Sequence, residues 1–237
     1  MLKILLPFVL FTLFSLGFMA SFLVVRAKKG GCALAIVLKT LASIGFLAGG
    51  LYAIYINGMM LGNLLIVLGL MFALIGDIVL DLKVAYTQDN KLYLNSGIAS
   101  FSISSTLYIS AMIVLWNMLN KFLFFSLGSL LIAVLFAIIV FMLAKPLKLD
   151  FVGYKVQVFI YSTLVALTAI LGLGICFYVP GFALFAVGAL LILVSDLVLS
   201  MMYFGGKANS NILCIINHSL YYLGELMIMS YLFFQLI

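Results

Sequence analysis

FALIGDIVLDLK, residues 72–83, places the carboxyl group of Asp77 inside an otherwise apolar run that begins near Leu61. A run of about 20 apolar residues is long enough to cross a bilayer as a helix. An aspartate inside such a helix costs roughly 2.5–3.5 kcal/mol on insertion scales, and such residues usually serve a function. The stretch therefore predicts a membrane-spanning helix with a functional aspartate.

A second stretch, LILVSDLVLSMM at residues 191–202, repeats this pattern around Asp196. Alignment of the two aspartates also pairs three further positions, which are Gly69 with Gly188, Val79 with Val198, and Leu80 with Leu199. Because the same motif occurs twice, the sequence predicts two related helices. Any function of the protein is expected to depend on both aspartates.

The composition is that of a membrane protein. Of the 237 residues, 68% are hydrophobic and 8% are charged, whereas soluble domains have about 25% charged residues. Several apolar runs exceed 18 residues and are continuous rather than alternating, which favours helices over a β-barrel. We predict an all-α polytopic membrane protein, a single transmembrane domain over residues 1–237. Its eight spans are expected at about 4–25, 32–56, 61–82, 92–116, 122–143, 154–177, 180–203 and 211–236.

The two aspartate motifs fall in the third and seventh spans, which therefore run in the same direction. This spacing suggests two four-helix halves in a parallel repeat, related by an axis along the membrane normal. The other helices show no obvious alignment. Convergence on a helix-compatible pattern is the alternative to a duplication.

The basic residues are distributed unequally between the two sides of the membrane. One side carries nine, which are Arg26, Lys28, Lys29, Lys83, Lys91, Lys145, Lys148, Lys155 and Lys207, and the other side carries Lys3 and Lys121. The positive-inside rule places the first side in the cytoplasm and both termini outside, in a multi-pass protein of the cell membrane. Because these residues set orientation, the formal net charge of +6 does not indicate a nucleic-acid partner.

Four polar residues on four different helices lie at a similar depth. Depth follows from the distance to the helix end, counted at 1.5 Å per residue. On this count the cytoplasmic half contains Lys39, Asp77, Asp196 and His218. Scattered structural residues are not expected to share a depth. We therefore predict that Lys39, Asp77, Asp196 and the Tyr222–Glu225 face of the last span converge on one cavity in the cytoplasmic half. The alternatives are interhelical hydrogen bonding by the aspartates, a lysine that extends to the interface, and a histidine that only packs.

Two further spans carry polar stripes. His218, Tyr222 and Glu225 follow an i, i+4, i+7 spacing on the last span, so they share one helix face. Ser105 and Tyr108 lie on one face of the fourth span, where close helix packing is the alternative explanation. These stripes extend the candidate site beyond the two aspartates.

A pair of aspartates in a low-dielectric site can divide two roles, because burial favours a neutral carboxyl and a neighbouring cation favours a charged one. The pair then supplies a general acid and a general base. This chemistry fits hydrolysis of a lipid bond, intramembrane proteolysis or proton-coupled transport. Proteolysis by a Gly-x-Gly-Asp motif would need glycine at position 74, which is Leu74. Transport or lipid binding stays open, although no matched pair of broken half-helices favours a transporter.

The chain resembles the YhhN family, the lysoplasmalogenase-like membrane proteins, in four stretches. They are LKTLASIGFLAG around Lys39, IGDIVLDL around Asp77, GALLILVSDLVLSM around Asp196 and LYYLGELMI in the last span. The resemblance extends to the number and order of helices. Two positions depart from the family pattern: Ser105 stands where the family usually has histidine, and Glu225 stands where glutamine is common.

The resemblance implies a hydrolase that cleaves the vinyl-ether bond of a lysoplasmalogen, giving a fatty aldehyde and a glycerophospho-alcohol. Asp77 and Asp196 would form the catalytic acid–base pair. The substrate, a lysophospholipid, would enter laterally from the bilayer, and no metal or nucleotide cofactor is implied. The residues expected to bind it are Lys39, Tyr108, His218, Tyr222 and Glu225.

Overall fold

The computed structural model describes residues 2–86, 88, 90–118, 122–207 and 210–235. It contains eight long helices in the order α1 (Leu2–Lys29), α2 (Ala33–Asn57), α3 (Leu61–Ala85), α4 (Asn90–Met118), α5 (Phe122–Ala144), α6 (Lys155–Cys176), α7 (Ala183–Tyr203) and α8 (Asn211–Phe234). All eight are long and apolar enough to span a membrane. The prediction of an all-α polytopic membrane protein is therefore confirmed. Lys121 and the end of the last predicted span, residue 236, lie outside the described residues.

Short turns separate the helices, and glycine makes some of them possible. Gly58 ends α2 with a φ of 97°, a conformation that L side chains rarely adopt, while its N–H donates to the carbonyl of Ile54. Ser210 caps α8 because its side-chain oxygen accepts a hydrogen bond from the N–H of Leu213 at 3.3 Å. Such tight ends let α2 pack against α3 and α7 against α8.

Six of the eight helices form a closed ring in the order α2, α3, α4, α6, α7, α8, with α8 packing back on α2. The remaining two lie outside the ring, α1 against α2 and α8, and α5 mainly against α6. Exchanging α2 with α6, α3 with α7 and α4 with α8 leaves the order of this ring unchanged. The packing therefore supports the predicted pair of four-helix halves.

Glycines at the repeated positions allow close helix approach. A Cβ added to Gly188 on α7 would lie 2.6 Å from the carbonyl oxygen of Gly224 on α8. At the equivalent place on α3, a Cβ on Gly69 would overlap the ring of Tyr108 on α4. Small residues at helix interfaces in lipid permit the van der Waals packing that holds the helices together. In each half, a glycine on the third helix thus allows close packing against the fourth helix.

The two ends of the ring differ in character. Large buried side chains, including Trp116, Phe182, Phe185 and Phe233, fill the end nearer the chain termini. The buried charged residues Lys39, Asp77 and Asp81 lie on α2 and α3, nearer the opposite end. The packed end forms a rigid base, and the polar half of the ring is where a site can form.

Candidate active site

A buried ion cluster joins α2 to α3. The Lys39 Nζ lies 3.3 Å from Asp77 Oδ1 and 3.3 Å from Asp81 Oδ1. All three residues are at most 4% exposed. Asp77 and Asp81 can share one cation because residues four apart lie on the same helix face. Lys39 is therefore an internal partner of two carboxylates and does not extend to the membrane surface.

Asp77 also accepts hydrogen bonds from two hydroxyl groups. Ser43 Oγ donates to Asp77 Oδ2 at 2.6 Å, and Tyr221 Oη donates to the same oxygen at 2.9 Å. The Tyr222 hydroxyl lies 2.9 Å from Ser43 Oγ and donates to the Lys39 carbonyl at 3.0 Å. Groups from α2 and α8 thus fix the carboxylate of α3, and they stabilise its charged form.

Asp196 has different surroundings. Tyr161 Oη, from α6, donates to Asp196 Oδ2 at 2.6 Å. Among the described residues, the ion pairs within 4 Å are those of Lys39 with Asp77 and Asp81, so Asp196 is not paired with a cation. The two repeated aspartates therefore meet opposite conditions, one beside a lysine and the other beside a neutral phenol.

One cavity, here called the polar cavity, contains both aspartates in its lining. Lys39, Asp77, Asp196 and His218 line it together with Tyr221, and its empty volume is about 340 Å³. These side chains come from α2, α3, α7 and α8. The four residues for which the sequence indicated a common depth are thus brought together at one place.

His218 and its neighbour Asn217 form the α8 wall of the polar cavity. The Nδ1 atom of His218 lies 2.8 Å from the Cys214 carbonyl oxygen, and its ring lies 4.8 Å from that of Phe22. Asn217 Nδ2 donates to the Ser195 carbonyl and to its Oγ, both at 2.9 Å. These bonds hold α8 beside the residue that precedes Asp196.

The stripe of His218, Tyr222 and Glu225 does not open on a single cavity. Tyr108 Oη donates to Glu225 Oε2 at 2.8 Å. Both side chains line a second cavity, here called the hydroxyl cavity, whose wall also contains Ser104, Ser105, Tyr161 and Thr168. Tyr222 is fully buried and lines neither cavity. Its position next to Ser43 and the Lys39 carbonyl is that of a positioning residue.

A third space, here called the apolar groove, leads away from Asp196. It has an empty volume of about 710 Å³ and lies among α4, α5, α6 and α7. Phe101 lines all three spaces, and Tyr161 lines the groove and the hydroxyl cavity. The site is therefore a branched system in which a charged branch and an apolar branch meet at Asp196 and Phe101.

Four residues of this system were missed by the sequence analysis: Ser43, Tyr161, Asn217 and Tyr221. Ser43 lies one helical turn after Lys39, which is a usable signal. Tyr221 directly precedes the predicted Tyr222, and Asn217 directly precedes the predicted His218. For Tyr161, a lone tyrosine in an apolar span, the sequence offers no signal without knowledge of which helices are neighbours.

These features define a polytopic helical membrane protein with two aspartates of a repeated motif in one internal cavity. Within the described part of the chain, no three His, Cys, Asp or Glu side chains group as ligands for a metal ion. A model of the YhhN family matches residues 34–232, and the chain belongs to this family. No curated protein and no solved structure matches it.

Proposed function

We propose that the protein is a membrane-embedded hydrolase that cleaves the vinyl-ether bond of a lysoplasmalogen. The observation that carries this proposal is that Asp77 and Asp196 line one cavity, the first beside a cation and the second beside a neutral phenol. Family membership agrees with it, since the resemblance to lysoplasmalogenase-like proteins rests on the same two motifs. Acid–base catalysis needs such an asymmetric pair.

Asp196 suits the role of the acid. It lies between the polar cavity and the apolar groove, with no cation paired to it in the described chain. The hydroxyl of Tyr161 occupies one carboxyl oxygen, which leaves the other to carry a proton toward the substrate. A neutral carboxyl is the form that an apolar surrounding favours.

Asp77 suits the role of the base. Lys39, Ser43 and Tyr221 all donate to it or pair with it, and a neighbouring cation and donated hydrogen bonds favour a carboxylate over a neutral carboxyl. A fixed negative charge also stabilises a cationic intermediate in a low-dielectric site. Lys39 was predicted to bind the substrate. In this proposal it instead positions the two carboxylates, because its ion pairs are with Asp77 and Asp81.

The reaction begins when Asp196 transfers its proton to the β-carbon of the vinyl ether. The electrons of the carbon–carbon double bond form the new C–H bond, which leaves an oxocarbenium ion on the α-carbon and ether oxygen. Water adds to the α-carbon as Asp77 takes one of its protons, and a hemiacetal results. Collapse of the hemiacetal breaks the bond between the former vinyl carbon and the glycerol oxygen. The hemiacetal hydroxyl gives its proton back to Asp196, and the glycerol oxygen takes the proton that Asp77 holds, so both side chains return to their starting forms. The products are a fatty aldehyde and a glycerophospho-alcohol, and one water molecule is consumed.

The remaining predicted residues take supporting places in this proposal. His218 lines the polar cavity and, with Nδ1 at the Cys214 carbonyl, can offer its other ring nitrogen to the glycerol part of the substrate. Asn217 donates both amide N–H groups to Ser195 and keeps α8 next to α7. The hydroxyl cavity, with Tyr108 and Glu225, is polar enough to hold water next to Tyr161, because a buried water needs two to four polar partners. Tyr222 keeps Ser43 in place beside Asp77.

The test is aldehyde release from lysoplasmenyl-ethanolamine by purified protein in detergent. Asp77→Asn and Asp196→Asn keep the side-chain shape and remove the titrating carboxyl, and each should lower turnover by roughly 10²–10⁴-fold. Asp150→Asn is the matched control, because Asp150 is exposed in the turn after α5, and it should keep the wild-type rate.

Two results would contradict the proposal. Near-normal release by both Asn variants would make the aspartates structural. A wild-type protein that releases no aldehyde from any vinyl-ether lipid would exclude this substrate. In that case, pH-driven uptake into proteoliposomes, and its loss in the same variants, would identify a proton-coupled carrier.

A further inference from the structure

The seam between α4 and α5 breaks the symmetry of the two halves. In the repeat, the pair α4 and α5 corresponds to the pair α8 and α1. The second pair is well packed: Phe22 lies 4.8 Å from His218, and Phe8 lies 4.9 Å from Phe234, as measured between ring centroids. In the described residues, contact between α4 and α5 is sparse, while α5 packs mainly on α6.

The apolar groove occupies this seam. Leu94, Ile98 and Phe101 of α4 form one wall, and Phe136 and Val140 of α5 face the groove from the other side. Both α5 side chains are partly exposed, as is Ile98. The groove therefore reaches the outer surface of the helix bundle, where lipid tails lie.

Aromatic contacts flank the groove at two places. Trp116 packs on Phe125 at 4.8 Å where α4 ends and α5 begins. Phe151, in the α5–α6 connection, packs on Phe141 of α5 at 5.1 Å and on Phe204 after α7 at 5.0 Å. These contacts cover the groove at the start of α5 and between α5 and α7, and the sparse α4–α5 contact leaves a route sideways, from the bilayer.

The inner end of the groove is chemically distinct from its walls. Asp196 is the one carboxyl among its lining residues, and Tyr161 is bonded to it. The groove and the polar cavity share Leu80, Phe101, Asp196, Leu199 and Tyr203. A molecule lying in both would need an apolar chain on one side of Asp196 and a polar group on the other.

We propose that the α4–α5 seam is a lateral portal, and that the apolar groove holds the single alkyl chain of a lipid whose polar end lies in the polar cavity. This inference rests on the proposed function, because a chain lying in the groove places the adjoining vinyl-ether bond at Asp196. Lipid tails are as apolar as the groove, so the chain gains little by leaving the bilayer. The groove therefore selects alkyl chains by their shape, and its width determines which of them reach Asp196.

The first test narrows the groove from α5. Val140→Trp places a large side chain in the seam, and Ile139→Trp is the matched control because Ile139 is 51% exposed on the outer face of α5. For a long-chain vinyl-ether lysolipid, Val140→Trp should lower kcat/KM at least about tenfold, as misfit in an apolar pocket typically does. Hydrolysis of a short-chain, water-soluble vinyl ether should stay close to the wild-type rate, and the control should match wild type on both substrates.

A second variant widens the same place. Phe136→Ala should raise the relative kcat/KM for a lysolipid with a bulky chain terminus by at least about fivefold, since pocket size limits such chains. Equal losses on long and short substrates in Val140→Trp, together with no gain in Phe136→Ala, would overturn the portal.

A labelling experiment separates this inference from the proposed function. A lysolipid without a vinyl ether, carrying a diazirine on its alkyl chain, is irradiated with the protein in vesicles, and labelled peptides are identified by mass spectrometry. Labels on the groove walls of α4 and α5, lost in Val140→Trp and kept in Ile139→Trp, support the portal even if no aldehyde is ever released. Labels confined to other helices, or no labelling, overturn it even if the hydrolase activity is found.

Discussion

Replacing Lys39 by methionine removes the cation of the buried cluster and keeps an unbranched side chain of similar length. Asp77 and Asp81 would then lie within the same site with no positive partner. We expect Lys39→Met to destabilise the folded protein strongly. The reason is that removing one member of a buried ion pair leaves the other charge uncompensated.

The magnitude follows from the two 3.3 Å contacts of Lys39. Coulomb's law with an effective dielectric constant of about 20 gives about 5 kcal/mol of attraction for each contact. The desolvation of the lysine and the repulsion between the two carboxylates offset part of this attraction. Measured losses for broken buried pairs are about 3–5 kcal/mol, and we expect the free energy of unfolding to fall by that amount.

The assay is unfolding of purified protein in mixed micelles as the fraction of denaturing detergent rises. Lys145→Met is the control, because Lys145 is exposed in the turn after α5, and it should be neutral. Adding Asp81→Asn to Lys39→Met should restore about 0.5–3 kcal/mol, the usual range of coupling between contacting residues. If Lys39→Met is as stable as Lys145→Met, the cluster does not stabilise the ring and the electrostatic argument is wrong.

Three further results are expected. Tyr161→Phe removes the 2.6 Å bond to the proposed acid and should slow aldehyde release roughly 2–10-fold, given about 0.5–1.5 kcal/mol for a hydrogen bond between neutral groups. Tyr178→Phe, at an exposed position, should keep the wild-type rate, and equal rates in the two variants would remove Tyr161 from the site. Gly188→Ala should lower stability by about 1–3 kcal/mol through overlap with the Gly224 carbonyl. The control Gly17→Ala, with nothing within 4 Å of its added Cβ, should be neutral or stabilising. A tolerated Gly188→Ala would mean that α7 and α8 separate easily. Reporter fusions at the two termini should lie outside and a fusion in the α5–α6 connection should lie in the cytoplasm; a cytoplasmic C-terminus would contradict the assigned orientation.

Helix number and the depth of polar residues could be predicted because both depend on local rules. Backbone groups in lipid must bond within the segment, so a long apolar run has essentially one solution. The constant rise per residue then turns sequence position into depth. This is why the sequence could indicate a common depth for Lys39, Asp77, Asp196 and His218, and in the structure all four line the polar cavity.

The direction in which each side chain points depends on which helices are neighbours, and this could not be predicted. Successive residues on a helix are rotated by about 100°, so Tyr221 reaches Asp77 while Tyr222 faces Ser43. Tyr161 matters only because α6 lies beside α7. Ring order is a property of the packed assembly, and no stretch of one helix encodes it.

The placement of Lys39 and Asp77 on consecutive helices has a consequence for biogenesis. A chain that enters the bilayer helix by helix must bring each charge across the translocon. Because α2 and α3 are joined by a three-residue turn, the ammonium and the carboxylates can enter as one paired hairpin, long before α8 is synthesised. Mutual neutralisation then lowers the insertion penalty that each charge would carry alone. Asp196 pairs with no cation among the residues that the structure describes, so it must insert by itself. Loss of Lys39 should therefore reduce the yield of inserted protein more than loss of Tyr161.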